Sequence, residues 1–275
     1  MNVLHNRSKV SATATDPQDR DALAYARQQR AGGVAALYLA AAYLVAMPYF
    51  LIVVNYESLV GSAQKVAALV ANQNSMYVMY LATYVVFGIV LAALALALWK
   101  RLAGSPSIAA VGGAVGLIWA CMLVASGLVF NYGAAAVVDL YDKSPAQAVS
   151  AWQAIEPVAK GLESAQGELL GGLWVLLVSL AALRTAGLPK ALNWLGILIG
   201  TAGIASVIPV LLDATYIFGL LQIVWFIWLG IVMFRTRPSE ESQRQVGPVA
   251  ATNASTSAPL EMLGYHQPRD SHVHG

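Results

Sequence analysis

The sequence has few of the residues from which soluble enzymes and disulfide-linked folds are built. Its 275 residues include one cysteine, Cys121, so no disulfide can form within the chain. Only 11% of the residues are charged, whereas soluble domains carry about 25%, so much of the chain is expected to face lipid. The four histidines all lie near the chain ends, at His5, His266, His272 and His274. This placement argues against histidine-ligated haem, an intramembrane zinc site with histidine ligands and a Ser-His triad.

Other functional motifs are missing as well. The net charge is only +2, and no basic stripe indicates a nucleic-acid partner. The sequence contains no phosphate-binding loop and no dinucleotide fingerprint after a strand. It therefore predicts no cofactor, no metal site and no catalytic residues, and a non-enzymatic role is favoured over an enzymatic one.

Hydrophobic residues make up 58% of the chain and are concentrated in six runs. A helix needs about 20 mostly apolar residues to cross about 30 Å of hydrocarbon. Five runs meet this length, whereas the fourth has only 15 apolar residues between Glu168 and Arg184. The six predicted spans are Val34–Val54, Met76–Trp99, Ile108–Phe130, Leu169–Leu183, Ala191–Leu212 and Tyr216–Phe234.

The distribution of lysine and arginine predicts the orientation of these spans. Thirteen of the 16 basic residues lie before the first span, after the sixth, or in the loops after the second and fourth spans. Only Lys65, Lys143 and Lys160 lie in the alternate loops. Because Lys-rich and Arg-rich loops stay cytoplasmic, the sequence predicts an all-α polytopic membrane bundle of six transmembrane helices with both termini cytoplasmic. We expect it in the lipid bilayer of a bacterial plasma (inner) membrane.

Composition outside the spans predicts three regions. Residues 1–32 are expected to form a cytoplasmic tail with a basic segment over 19–32. That segment is either a short helix on anionic lipid or a plain basic flank. Residues 33–235 form the membrane domain, and residues 236–275, rich in Ser, Pro, Gln and Thr, are expected to be a disordered cytoplasmic tail.

The loop between the third and fourth spans contains the features of an additional helix. Ser144 and Pro145 are typical of a helix start, as N-cap and first helical residue. An apolar stripe follows at helical spacing, at Val149, Trp152, Ile155, Val158 and Leu162. We therefore predict one amphipathic external helix that lies with this stripe in the membrane interface and is interrupted near Pro157.

Acidic residues dominate the predicted outer side, where seven acids face three lysines. Glu168 is the most informative, because the short fourth span places it at or below the outer headgroups. An ionised carboxylate is costly there unless it is paired or hydrated. The alternative is a structural role, with Glu168 bonded to a tyrosine or to the backbone near Gly167. The candidate ligand-binding residues are Glu168, Tyr80, Tyr84, Asp213, Glu57, Asn131 and Gln222.

Glycine pairs spaced four residues apart recur in the apolar runs. They are Gly112 and Gly116, Gly167 and Gly171, and Gly196 and Gly200. Such pairs let helix backbones approach closely in lipid. They favour packing within the bundle, and Gly112, Gly116, Gly196 and Gly200 are also a candidate surface for a membrane-protein partner.

One stretch is similar to a known family. The residues Gly167–Trp174 read GELLGGLW, and they are followed by Leu188-Pro189-Lys190 and by Trp194-Leu195-Gly196. This pattern resembles a bacterial six-helix integral membrane family that is catalogued only as a domain of unknown function. The resemblance covers mainly residues 76–234 and is specific between 167 and 200. It implies a six-helix membrane fold and emphasises Glu168, but it implies no activity.

Three functions remain open on these grounds. The first is binding or transport of a cation or small polar molecule from an outward-facing acidic vestibule. The second is a non-catalytic accessory or regulatory subunit of a larger membrane complex. The third is an intramembrane lipid-modifying enzyme. The Glu168 region favours the first, and the glycine-rich helix faces favour the second.

Overall fold

Helices account for the regular structure of the part of the chain that the structure describes. The structure is a computed structural model and describes residues 17–163 and 168–235. Two π-helical turns occur, at Tyr49–Val53 after the first helix and at Leu81–Val86 between the second and third. The α-helices are α1 (Pro17–Pro48), α2 (Ser62–Tyr80), α3 (Phe87–Arg101), α4 (Pro106–Tyr141), α5 (Pro145–Glu163), α6 (Leu169–Thr185), α7 (Lys190–Ala205) and α8 (Ala214–Arg235).

Some of the sequence predictions concern residues that the structure does not describe. These are residues 1–16, the predicted tail 236–275, the four histidines and Gly167. Residues 17–32 are described, and α1 passes without a break through the predicted boundary between residues 32 and 33. Among the described residues, 24–235 belong to one compact unit.

Four helical stretches are long and apolar enough to cross a membrane. They are Leu23–Val53, Ser62–Arg101, Pro106–Tyr141 and Ala214–Arg235, and they contain most or all of the first, second, third and sixth predicted spans. The apolar helices α6 and α7 have only 17 and 16 residues, or about 26 and 24 Å at 1.5 Å per residue. The described chain is therefore all-helical, with several apolar helices of the kind that membrane proteins contain.

The end of α7 differs from the prediction. The apolar run was expected to continue as a helix from Ala191 to Leu212, but the helix ends at Ala205. Pro209 explains this, because a proline disfavours helical geometry at the residue before it, and Ile208 is extended with φ −79° and ψ 121°. A short 3-10 turn, Pro209–Leu211, leads towards α8. The prediction was wrong here because hydropathy measures composition and does not detect a break in the backbone.

The helices α6 and α7 pack against each other at backbone distance. A β-carbon at Gly172 would lie 2.8 Å from the Ile204 nitrogen and 2.9 Å from the Gly200 carbonyl oxygen. Such distances leave no room for a side chain, so glycine is required for this approach. The other glycines of the predicted partner surface are also buried within the chain. Gly112 and Gly116 face α6, and Gly196 lies beside Ser179 of α6 and Trp225 of α8.

Large apolar side chains fill the space between these helices. We call this cluster the bundle core, and it centres on Trp119 of α4, Trp174 of α6, and Trp225 and Phe226 of α8, all almost fully buried. The indole rings of Trp119 and Trp174 are 5.7 Å apart, and those of Trp174 and Trp225 are 5.8 Å apart. The middle of α1 packs on α8 at Gly33, where a β-carbon would lie 3.2 Å from the Gly230 carbonyl oxygen.

A second apolar cluster lies where α4 and α5 meet α2. We call it the cap core, and its buried residues are Tyr56, Val66, Leu69, Met76, Tyr80, Phe130, Val137, Ala148, Trp152 and Ala159. Its polar links are specific, because the Trp152 indole nitrogen donates to the Tyr56 hydroxyl over 2.9 Å and the Lys65 ammonium pairs with Glu156 over 2.7 Å. Ser126 of α4 donates to the Ala159 carbonyl of α5 over 2.9 Å.

The helix α5 confirms one prediction and corrects two others. It begins at Pro145, as the Ser144-Pro145 pair indicates. It is not interrupted at Pro157, which lies inside a continuous helix. Its apolar stripe was also expected to lie in the membrane interface, but Trp152 is fully buried against protein, while Val158 is 55% exposed. Val149, Trp152 and Ile155 of the stripe therefore pack in the cap core, whereas Val158 does not. Helical spacing alone cannot show whether an apolar stripe packs on protein or lies in lipid.

Basic residues gather at the opposite end of the bundle from the cap core. Arg101, at the end of α3, donates to the Gly187 carbonyl over 3.0 Å and to the Gln29 side chain of α1 over 2.7 Å. Lys100 lies in the last turn of α3, Arg184 in the last turn of α6, and Lys190 begins α7. We refer to this as the Arg101 end, and to the other as the Glu168 end.

Candidate functional site

A π-helical turn, Leu81–Val86, joins α2 to α3 within the helical stretch Ser62–Arg101, which we call the second long helix. Within Leu81–Val86 the helix widens, which displaces the side chains that follow from their normal positions. The Tyr38 hydroxyl of α1 donates to the Ala82 carbonyl over 2.8 Å, and the Thr83 hydroxyl donates to the Met79 carbonyl over 2.8 Å. These bonds satisfy carbonyls of the distorted segment. Single π-turns of this kind are frequent at functional sites.

A second π-helical turn lies at the end of α1. It begins directly after Pro48, which has no backbone N–H to donate, and the Val54 nitrogen donates to the Tyr49 carbonyl over 2.9 Å. Phe50 lies in this turn and packs edge-on against Tyr80, with ring centroids 5.3 Å apart. The helical stretches Leu23–Val53 and Ser62–Arg101 thus each contain a π-turn close to the contact between Phe50 and Tyr80.

Glu168 is the residue directly before α6. Its backbone nitrogen donates to the Ser206 hydroxyl over 2.9 Å, and its carbonyl accepts from the Gly172 nitrogen over 2.8 Å. The Ser206 hydroxyl in turn donates to the Gly203 carbonyl over 2.7 Å. The start of α6 is therefore tied to the end of α7, which fixes the backbone that carries the Glu168 side chain.

These elements enclose a cavity of about 130 Å³ at the Glu168 end of the bundle core. Tyr84 and Thr83 come from the π-turn of the second long helix, and Glu163 is the last residue of α5. The residues that line the cavity are Ala42, Tyr43, Ala46, Phe50, Thr83, Tyr84, Phe87, Trp119, Leu123, Glu163 and Glu168. Two carboxyl groups and five aromatic residues are present in this lining, and no lysine, arginine or histidine among the described residues contributes to it.

The two carboxyl groups influence each other electrostatically. The Tyr43 phenol interacts electrostatically with the Glu168 carboxyl, and the Tyr84 phenol interacts with the Glu163 carboxyl. Within the described chain, the Glu168 carboxyl forms no hydrogen bond and no ion pair, and the residue is partly exposed. The Glu168 carboxyl is therefore available to a ligand that enters the cavity.

The structure brings together two of the seven predicted ligand-binding residues, Glu168 and Tyr84. Tyr80 lies directly behind them, where its ring stacks on Tyr84 with centroids 4.8 Å apart, but it does not line the cavity. Asp213 is exposed in the connection before α8 and lies outside the lining. Glu57 lies in a 3-10 turn, Tyr56–Ser58, and its side chain is not among those described.

Asn131 and Gln222 occupy other places. Asn131 is buried on α4, and its side-chain nitrogen donates a hydrogen bond to the Tyr77 carbonyl over 3.2 Å. It lines a separate cavity of about 230 Å³ between α2 and α4. Gln222 is fully buried on α8, and neither amide atom has a hydrogen-bond partner among the described residues. Neither residue lines the Glu168 cavity.

Several lining residues were not predicted from the sequence. Glu163 enters the sequence argument only as one of seven acids, although it is five residues from Glu168. Tyr43, Phe50 and Trp119 lie in apolar runs, where aromatic residues usually pack in a core. No local pattern distinguishes them, because their place in the lining depends on contacts between helices that are distant in sequence, and Phe50 lies in a π-turn that the sequence did not predict.

Comparison with known proteins adds no identification. No family model, curated protein or solved structure matches this chain at a significant level. The likeness of Gly167–Trp174 to a six-helix family stays a prediction.

Proposed function

We propose that this chain crosses a bacterial inner membrane six times, with both termini cytoplasmic and the Glu168 end outside. The gathering of Lys100, Arg101, Arg184 and Lys190 at the opposite end supports this orientation, because basic residues are retained on the cytoplasmic side. In this proposal α6 and α7 are two short spans that pack on each other through Gly172, with α4 against α6 and α8 against α7.

Cysteine labelling tests this topology. Ala103 and Lys143 are exposed residues in loops at opposite ends of α4. In a Cys121→Ser background, Lys143→Cys should react with a membrane-impermeant maleimide on intact bacterial cells, whereas Ala103→Cys should react only after permeabilisation. The reverse pattern would invert the proposed orientation, and labelling of both residues on intact cells would contradict a complete crossing by α4.

We further propose that the protein binds a cation or a small cationic molecule in the Glu168 cavity. The observation that carries this proposal is a cavity whose described lining has two carboxyl groups and no basic side chain. Taking a carboxylate out of water is costly unless a positive charge or donor groups compensate it. A bound cation would supply that charge to Glu168, whose carboxyl is not otherwise paired among the described residues.

Two matched variants test this binding. Glu168→Gln removes a charge from the cavity, whereas Asp213→Asn removes one from an exposed position at the same end. The purified protein would be titrated, at constant ionic strength, with sodium, potassium, magnesium, ammonium and tetramethylammonium chlorides, with thermal unfolding as the readout. At least one of these salts should raise the melting temperature of the wild type and of Asp213→Asn, because a ligand that binds only the folded state stabilises it.

For Glu168→Gln we expect binding of the same cation to weaken by about tenfold or more, which is the effect of losing about 1.4 kcal/mol. If none of these cations stabilises the wild type more than Glu168→Gln, the cavity is not a cation site and the proposal fails. An equal loss in Asp213→Asn would instead indicate a general effect of surface charge.

A further inference from the structure

The Glu168 cavity has a size that suits a small organic molecule. Its volume is about 130 Å³, and an apolar cavity of about 150 Å³ in another protein accepts benzene, which has six heavy atoms. A ligand of roughly five to seven heavy atoms would therefore fill the available space. A single dehydrated metal ion would leave most of it to water.

Five of the eleven residues that line the cavity are aromatic. Tyr43, Phe50, Tyr84, Phe87 and Trp119 line the cavity. Packing fixes these rings, since Tyr43 and Phe87 meet edge to face at 5.6 Å and Phe87 meets Trp119 at 6.5 Å. Tyr84 is held by its stack on Tyr80. Rings fixed in this way offer a preformed surface, so little ordering is needed when a ligand binds.

Polar groups are interspersed with these rings. The oxygen atoms come from the carboxyls of Glu163 and Glu168, the hydroxyl of Thr83 and the phenols of Tyr43 and Tyr84, and Trp119 adds an indole N–H. A calcium ion takes six to eight oxygen ligands, and no group of three or more His, Cys, Asp or Glu side chains capable of holding a metal occurs in the described part of the chain. Quaternary ammonium ions, by contrast, are recognised by aromatic faces together with a nearby negative charge.

We infer that the ligand of the Glu168 cavity is a small alkylated ammonium ion. This inference rests on the proposed function and narrows it to one ligand class. The carboxyl of Glu168 balances the charge of the ligand, and the rings of Tyr43 and Trp119 contact its alkyl groups. A neutral molecule of the same shape lacks the first interaction, and an inorganic cation lacks the second.

Three probes separate these interactions. Tetramethylammonium and tert-butanol each have five heavy atoms but differ in charge, and potassium has the charge without the alkyl groups. Binding would be measured by titration calorimetry on the full-length protein in detergent. We expect tetramethylammonium to bind at least tenfold more tightly than either of the other two, and Glu168→Gln to abolish that difference.

A pair of variants at Tyr43 tests the aromatic contribution. Tyr43→Phe keeps the ring and should bind tetramethylammonium within about threefold of the wild type. Tyr43→Leu removes the ring and should weaken binding by roughly three- to thirtyfold, the range of cation–π contributions. The unfolding temperature without ligand shows whether each variant is folded.

The outcomes distinguish this inference from the proposed function. If potassium binds as tightly as tetramethylammonium and still depends on Glu168, the cation site stands and the alkylammonium class is wrong. If tert-butanol binds as tightly as tetramethylammonium, charge does not matter and both proposals fail. Unchanged tetramethylammonium affinity in a folded Tyr43→Leu variant would also overturn the inference.

Discussion

The bundle core and the cap core are held together in different ways. In the bundle core, helices approach through glycines such as Gly172, and the indole nitrogens of Trp119, Trp174 and Trp225 have no hydrogen-bond partner among the described residues. In the cap core, side chains are joined by hydrogen bonds and by the ion pair between Lys65 and Glu156.

This difference matches the two solvents that the proposed topology assigns to them. Lipid gives no hydrophobic driving force between helices, so close backbone packing has to stabilise the bundle. Water drives large apolar side chains such as Trp152 into a core and leaves ion pairs at its edge. In the proposed topology, the helical stretches Ser62–Arg101 and Pro106–Tyr141 would each contribute to both kinds of core.

The largest effect is expected from removing the central side chain of the cap core. Trp152→Ala should lower the free energy of unfolding of the cap by about 3–5 kcal/mol, because it deletes a fully buried indole and leaves a cavity. Amide hydrogen exchange, followed by mass spectrometry in detergent, should show faster exchange in α5 and in α2. Exchange in α6 and α7 should stay slow.

Trp152→Phe is the matched control for this prediction. It keeps an aromatic ring but removes the bond to the Tyr56 hydroxyl, so its effect should be much smaller. Equal acceleration of exchange in the cap and in α6 would mean that the two cores unfold as one unit. The bundle core and the cap core would then differ in how they pack but not in how they unfold.

A smaller effect is expected in the bundle core. Gly172→Ala places a β-carbon within 3.0 Å of three backbone atoms of α7, which cannot move aside as a flexible side chain would. We expect a loss of about 1–3 kcal/mol, as for other overpacked cores. The midpoint of unfolding in a denaturing detergent titration measures this loss.

Gly219 in α8 provides the control, since a β-carbon there would meet no atom within 4 Å. Gly219→Ala should be neutral or slightly stabilising, because alanine favours helix more than glycine does. If the two alanine variants unfolded at the same point, close approach of α6 and α7 would not be what stabilises the bundle.

Much of the fold could be predicted from composition and spacing. The apolar runs predicted where the helices lie, and Pro145 predicted the start of α5, because proline suits the first helical turn. Other features depend on contacts between distant residues. The burial of Trp152 against Tyr56 is one such contact, as a helix with an apolar stripe can bind either lipid or protein.

In the candidate site, the sequence could identify only a charged residue that lies next to an apolar run. Glu168 could be found because a carboxylate next to a short apolar span requires compensation. Tyr43 and Trp119 could not, because their neighbours in sequence are as apolar as those of any packed aromatic residue. The π-turn at Leu81–Val86 brings Tyr84 to the cavity, and no residue in it is a proline or glycine that would mark a distortion.

The shortness of α6 and α7 has a consequence for the surrounding membrane. Leu180, Trp194 and Leu198 are exposed on these helices and would contact lipid tails. Helices of about 24–26 Å are shorter than a hydrocarbon layer of about 30 Å, and such a hydrophobic mismatch thins the bilayer locally at a cost that grows with each ångström. A lipid with shorter acyl chains would remove this cost. The thickness of the host membrane would therefore determine how close the lipid headgroups lie to Glu168. It would also determine how far a ligand must move from the headgroups to reach the cavity.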